Sequence, residues 1–513
     1  MSGYLRRLAT TGAAYTSASI VSKVIAVALL PLYTRYLTIA DYGAAEVMFA
    51  AVVSASIVVR LGLIEALLRF YYKDGEDPAR VVSTSFAAVF WLATIASLAA
   101  LPFAAAISEA LLVHPAPDLG RISIGGLWAL TLFEYLLTLF RLEERARAFF
   151  VTTILNVLAT IGLTVFLVVG REEGARGLLI GSFASGAAFV LGLIFVQRRR
   201  LSLRLDRALL RRLMRFGLPT MPAELSLYLL NFVDRIIIVR SAGLGAAGLY
   251  SLAVKFAQGV NVLVRGFQLA WPPLAYSIRD DGEARRTYAV VVTWFVAGCA
   301  FVVAGMWLFS RWIVRALAAP EFFGSYKAIG LVATGVTLYA LYMVLVVILG
   351  RTGRTEFNFP ATIAALVANI ALNLALVPPL GIVGAGIALV ASYLVVLALM
   401  YGFTQRLFPV PYEWGRLARI VGVSSAIVLL GELLLPTEGF LGLLARAALW
   451  LTYPLALLAT GFFSSGERRW LAGLRQPGVL ATQLRSLRPA AAGVDGAVAE
   501  TYEAEQMDDD SRL

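Results

Sequence analysis

Apolar runs of about 20 residues recur along the whole chain, each long enough to cross roughly 30 Å of hydrocarbon, and short polar connections separate them. Windows of about 19 residues predict fourteen spanning helices. Six occupy the first part, at Gly12 to Leu37, Ala44 to Leu68, Val81 to Ile107, Ile122 to Leu142, Phe149 to Val169 and Gly177 to Val196. Six more follow, at Leu218 to Val239, Ala246 to Tyr276, Tyr288 to Phe309, Ala328 to Leu349, Phe359 to Val377 and Gly384 to Phe403. Two further spans lie near Ile420 to Leu435 and Leu441 to Phe462.

The second six restate the first. Leu5-Arg6-Arg7-Leu8, Gly12, Arg35, Gly43 and Arg60 have counterparts 205 residues later in Leu210-Arg211-Arg212-Leu213, Gly217, Arg240, Gly248 and Arg265. Gly174, Gly177 and Ala184-Ser185 match Gly381, Gly384 and Ala391-Ser392 at an offset of 207. A period near 200 residues indicates two large homologous halves and not a solenoid. Six spans per half is an even number, so both halves begin on the same side and form a parallel repeat. The expected domains are therefore residues 1–208 and 209–410 as six-helix lobes, 411–465 as spans thirteen and fourteen, and 466–513 as a cytoplasmic tail, disordered at its acidic end.

Composition narrows the class. With 60% hydrophobic and 15% charged residues in 513, the chain is an all-α integral membrane protein. A single cysteine, Cys299, excludes an intramolecular disulfide, and the single histidine, His114, leaves no paired-histidine metal site. No cofactor, metal or catalytic residue is expected. The net charge of +12 arises mostly in alternate connections, where basic residues divide roughly 24 to 9 between the two sides. Orientation explains this distribution, with no role for nucleic acid, and places both termini in the cytoplasm of a cell-membrane protein. Arg6 and Arg7 before an apolar run resemble a leader, but the same pattern stands in mid-chain at Leu210, and Lys23 interrupts the run, so it reads as the first span. The segment Gln197 to Arg215 predicts a helix in the cytoplasmic interface, and Trp470, Leu471 and Leu474 a resting place for the tail on the bilayer.

Charges inside the membrane are the candidate chemistry. Span one carries Thr16, Ser19, Ser22 and Lys23; span two carries Glu46, Ser56 and Arg60 on a narrow arc, with Glu65 elsewhere. Span seven has Glu224, Tyr228, Asn231 and Arg235 at steps of four, three and four, one polar stripe, and span eight confines Lys255, Gln258, Asn261, Arg265 and Gln268 to one side. Each charge at bilayer depth costs at least roughly 2.5 to 3.5 kcal/mol, so these groups face protein or water. One shared cavity between the halves accommodates all four stripes. Lys23, Arg60, Lys255 and Arg265 would make it cationic, with Glu46 and Glu224 as counter-charges, and an arginine fork suits phosphate oxygens. The substrate-binding candidates are thus Lys23, Arg60, Lys255, Arg265, Asn231, Gln258 and Asn261; Glu46, Glu224, Asp234 and Arg235 are candidates for coupling or gating.

Plainer roles compete with these. The charges can be ion pairs that fix helix register; Glu65 can pair with Arg69 one turn on; Asp234-Arg235 reads as a local latch. Asn369 and Asn373 suit hydrogen bonds between helices, the matched glycines tight turns or close contacts, and Pro219 and Pro222 a bend or a helix start.

Phe216-Gly217-Leu218-Pro219, Asp234-Arg235, Gly248-Leu249-Tyr250 and Trp271-Pro272-Pro273, with Pro31 to Leu37 and Asp41-Tyr42-Gly43 in the first half, resemble the polysaccharide-export proteins. These are the O-antigen and teichoic-acid flippases of the multidrug/oligosaccharidyl-lipid/polysaccharide exporter superfamily. The resemblance covers about residues 5 to 460. It implies V-shaped lobes around a cavity lined by spans one, two, seven and eight, and passage of an undecaprenyl-pyrophosphate-linked oligosaccharide to the outer leaflet. Arg60 and Arg265 are its candidates for the pyrophosphate, membrane lipids and glycan polymerase and chain-length machinery its implied partners, and spans thirteen and fourteen, by analogy, a groove for the polyprenyl tail. A cation-coupled multidrug antiporter and a lipid II flippase of the same superfamily are the alternatives. A polysaccharide polymerase or ligase fits less well, because the outer connections are short and the longest, Ser108 to Arg121, offers only Glu109, His114 and Asp118.

Overall fold

The structure, a computed structural model, describes residues 25, 27–72, 75–230, 232–463 and 467. Most of span one, including Lys23, lies outside the described residues, as do Asn231 and the tail with Trp470, Leu471 and Leu474. Among the described residues every regular element is helical. Lipid offers no hydrogen bonds to backbone groups, so segments that cross it must satisfy those groups within themselves.

In the first half, α1 (Leu30–Tyr36) leads into α2 (Ile39–Arg60), whose first turn Thr38 caps by accepting from the Asp41 amide at 3.0 Å. Leu61 and Gly62 then take left-handed backbone conformations, and the chain restarts as α3 (Leu63–Tyr71). The single predicted span Ala44 to Leu68 is therefore broken at Leu61-Gly62. Next come α4 (Pro78–Ala100), α5 (Ala104–Leu112), α6 (Pro117–Leu142), α7 (Ala146–Val165) and α8 (Gly174–Gln197).

The connecting segment forms α9 (Arg207–Gly217), capped by Asp206, which accepts from the Ala208 and Leu209 amides at 3.0 and 3.1 Å. Leu209 and Leu213 are buried in an apolar cluster with α3, α4, α6 and α8, while Arg211, Arg212 and Arg215 stay exposed. This helix thus docks on the first half, and begins ten residues later than the predicted Gln197.

The second half runs α10 (Met221–Leu229), α11 (Val233–Ala257), α12 (Asn261–Ser277), α13 (Asp281–Leu317), α14 (Tyr326–Arg351), α15 (Asn358–Leu380) and α16 (Ile382–Leu407), then α17 (Trp414–Leu434) and α18 (Gly439–Leu451). Pro222 stands in the first turn of α10, so it starts a helix and does not bend one. Within α11, Gly243 has φ 83° and ψ 173°, outside the helical range. The Tyr250 hydroxyl nevertheless reaches the Asp234 carboxylate at 2.6 Å. Sixteen residues of straight helix would hold them about 24 Å apart. The chain therefore folds back at Gly243, which is the turn between predicted spans seven and eight.

Twelve candidate membrane spans are present among the described residues. One of them, Glu224–Val260, contains the Gly243 turn and takes in parts of two predicted spans. Contacts within the chain separate two compact units, Met1–Leu451 and Thr452–Leu513, and the second contributes the short helix α19 (Tyr453–Ala459).

Association of helices in lipid relies on close packing of small residues. Repeat-matched Gly43 and Gly248 meet where α2 crosses α11: a Cβ on Gly43 would lie 2.1 Å from the Leu244 carbonyl oxygen, and one on Gly248 2.2 Å from that of Ile39. At the other end of α2, Gly62 and Gly217 make a second such contact, with a Cβ on Gly62 only 2.0 Å from the Gly217 oxygen. The second glycine match divides its labour. Gly174 and Gly381 have positive φ in turns, whereas Gly384 is a close contact, its Cβ position 2.2 Å from the Leu376 oxygen. The main buried cluster joins α1, α2 and α8 to the helices of the second half.

Candidate functional site

Helix α2 carries an acid near one end and a base at the other, and each is bound to the second half. Glu46 accepts from Lys255 of α11 at 2.5 Å, and the Lys255 ammonium also lies 5.1 Å from the centre of the Tyr42 ring. Arg60, the last residue of α2, is buried among three acceptors. Its guanidinium donates to Glu134 of α6 at 2.5 Å, to Glu224 of α10 at 3.2 Å and to the Ser56 carbonyl at 3.3 Å. A planar fork with several donors can serve two carboxylates at once, which a lysine could not do in this geometry. Two of the expected cavity cations, Arg60 and Lys255, are thus neutralised within the protein, and the expected counter-charges Glu46 and Glu224 are their direct partners.

Beside these pairs lies a cavity of about 540 Å³. Its polar wall is Glu224, Tyr228, Asp234, Arg235, Gln258, Asn261 and Arg265, with Tyr339 of α14 and Tyr393 of α16 opposite; of α2 only Ile57 lines it. The stripes predicted on spans seven and eight are therefore brought together. Arg60 and Lys255 are not among its lining residues, and Lys23 and Asn231 lie outside the described residues.

Asp234 is 1% exposed and doubly held, by the Tyr250 hydroxyl and by the Arg235 amide at 2.7 Å. It latches the two legs of α11 together. Neither Arg235 nor Arg265 forms an ion pair among the described residues, and the buried Nε of Arg235 has no hydrogen-bond partner among them. Arg235 is half-buried and Arg265 exposed, so both guanidinium groups are accessible from the cavity they line.

Several smaller expectations are corrected. Glu65 forms no ion pair among the described residues, because the Arg69 guanidinium stacks over Phe216 at 4.4 Å. Asn373 donates to the carbonyl and side-chain oxygens of Asn369 at 2.9 and 3.1 Å, so these bonds run along one helix and not between helices. Sequence reasoning missed Glu134, an acid within the otherwise apolar span four; an intramembrane acid is itself a signal of a partner. It also missed a buried network at α13, α17 and α18, where Arg446, 0% exposed, donates to Glu432 at 2.5 Å while Arg311 approaches the same carboxylate at 2.9 Å.

The family model described as "Polysaccharide biosynthesis protein" matches residues 8–278. No curated protein matches the chain in sequence. Among solved structures, the lipid II flippase MurJ in an inward closed conformation aligns with a TM-score of 0.68 and 12% identity, covering 88% of this chain and 98% of its own. An inward-facing multidrug resistance MATE family transporter of the MOP superfamily aligns with a TM-score of 0.61 and 17% identity, over 76% of this chain and 95% of its own. A MOP superfamily transporter from Pyrococcus furiosus, whose binding pocket is described as of reverse polarity, gives 0.54 and 16%, over 81% and 95%. The chain has the fold of these transporters and is a multi-pass membrane protein.

Proposed function

The chain belongs to the polysaccharide biosynthesis protein family, and on that premise we propose that it moves an undecaprenyl-pyrophosphate-linked oligosaccharide from the cytoplasmic to the outer leaflet of the cell membrane. The observation that carries this reading is the pair Arg235 and Arg265, two guanidinium groups on one cavity wall that form no ion pair among the described residues, while Glu224, Glu46 and Asp234 are held by Arg60, Lys255 and Tyr250. Their forks suit the oxygens of a pyrophosphate, and bidentate contacts of this kind are shorter and stronger than neutral hydrogen bonds. Arg265 keeps the role its sequence position suggested, and Arg235 takes the one first given to Arg60. Gln258, Asn261, Tyr339 and Tyr393 offer the mixed polar and aromatic surface on which sugars pack.

In this reading the lobes 1–208 and 209–410 rock about the site, with both termini in the cytoplasm. Glu46–Lys255 and Arg60–Glu224 join the lobes near opposite ends of α2, and transport breaks them in alternation. The membrane potential adds about 2.3 kcal/mol per charge per 100 mV to movement of the anionic head group.

The test is translocation of lipid-linked oligosaccharide in proteoliposomes by wild type, Arg235→Ala and Arg265→Ala. Transport by wild type and loss in both folded variants supports the proposal. Exchange of hydrophobic drugs for protons or sodium by the wild type, without movement of the lipid, overturns it in favour of antiport.

A further inference from the structure

The polar cavity has an apolar extension. A second space of about 250 Å³ lies between α12 and α14, lined on the apolar side chiefly by Phe267, Trp271, Pro272, Met343 and Val347. It shares Asn261, Arg265 and Tyr339 with the larger cavity, so Arg265 lines both. Phe267 stacks on Trp271 at 5.7 Å and on Phe295 at 3.9 Å, and the Trp271 indole nitrogen donates to the Val344 carbonyl at 3.4 Å, so these aromatic side chains are fixed in place.

We infer that this annex holds the first isoprene units of the lipid carrier while Arg265 holds the phosphate attached to them; the inference rests on the function proposed above. Three observations support the assignment. The annex is lined at one end by Arg265, which forms no ion pair among the described residues, so a ligand entering it carries its anionic group at that end. Its apolar part begins within two turns of Arg265 on α12, the distance at which a chain bonded to that phosphate starts. Its volume also fits: a cavity of about 150 Å³ accepts benzene, so 250 Å³ takes roughly ten carbons, or two isoprene units. Most of the long tail then leaves the site for the bilayer, and recognition reads only the junction between lipid and pyrophosphate.

The experiment uses the full chain in nanodiscs with two probes, farnesyl pyrophosphate and inorganic pyrophosphate. Filling the annex by Val347→Trp or Met343→Trp weakens farnesyl pyrophosphate by about ten-fold, or ~1.4 kcal/mol, while inorganic pyrophosphate still binds. Arg265→Gln weakens both. A farnesyl pyrophosphate analogue carrying a diazirine on its first isoprene unit crosslinks to α12 and α14 near Trp271 and Met343 in the wild type, which keeps the test open should a filled variant fail to fold. Unchanged farnesyl pyrophosphate affinity in the folded filled variants, or crosslinks confined to other helices, overturns the annex while leaving the pyrophosphate site standing. Failure of the wild type to bind either probe overturns both.

Discussion

Tyr250 donates to Asp234 at 2.6 Å across sixteen positions of sequence, and this bond closes the hairpin whose two legs carry Arg235 and Lys255. The phenol fixes where the polar stripe of one leg stands relative to the other. Removing it by Tyr250→Phe leaves a buried carboxylate with one donor fewer and is expected to cost about 1–3 kcal/mol. Thermal unfolding in detergent measures this; an unchanged midpoint would show that the hairpin is held by packing alone.

The Glu46–Lys255 bridge joins the halves with the acid nearly buried. Lys255→Met leaves that carboxylate unpaired and is expected to cost about 3 kcal/mol, whereas Lys255→Met combined with Glu46→Leu recovers a large part of the loss. A double-mutant cycle on stability checks the sign. Additive losses would mean that the two groups do not interact.

Gly43 and Gly248 permit α2 and α11 to touch backbone to backbone. Gly43→Ala or Gly248→Ala pushes a methyl group into a carbonyl oxygen and is expected to destabilise this arrangement by about 1–3 kcal/mol. Gly186→Ala in α8 meets nothing within 4 Å and serves as the control, gaining roughly 0.5–1 kcal/mol from helix propensity. Equal effects at all three positions would refute the contact.

The repeat-matched arginines are expected to separate in their effects. Arg60→Ala leaves Glu134 and Glu224 facing each other without their shared cation, so stability falls. Arg265→Ala breaks no ion pair among the described residues, so stability is expected to stay within about 0.5 kcal/mol while binding of pyrophosphate is lost. Measuring unfolding and ligand binding on both variants decides it; parallel losses in the two would mean one common role.

Asp206 lies outside the membrane spans, and its carboxyl is held below the usual carboxylate range by the Leu209 amide first and Arg80 second. A depressed folded pKa means that the stabilising contribution is present above the unfolded value of 3.8 and is lost as pH falls through the folded value. Wild type should therefore exceed Asp206→Ala in stability at pH 7, and the gap should close only below about pH 3.8. Melting curves across that range test the sign; a gap that widens in acid would contradict it.

The sequence by itself determined the bilayer class and displayed matched motifs at a 205-residue offset, because hydrophobic length and internal spacing are properties of the chain in one dimension. It also marked Glu224, Tyr228 and Arg235 as polar positions of span seven, but that span breaks between α10 and α11, so their meeting in one cavity rests on packing and not on a single helical period. Only the tertiary structure decided which charges remained available to a ligand. Arg60 and Arg265 are equivalent by position, yet Arg60 meets Glu134 and Glu224 from two other helices, and Arg265 meets no carboxylate among the described residues. Pairing energy depends on separations of a few ångströms between groups 74 and 164 residues apart, which no local pattern encodes. The break at Leu61-Gly62 escaped for a related reason, whereas the reversal at Gly243 falls in the connection expected between spans seven and eight. Glycine permits a left-handed turn anywhere, but the neighbour that Gly62 meets there, Gly217, appears only when the helices are packed.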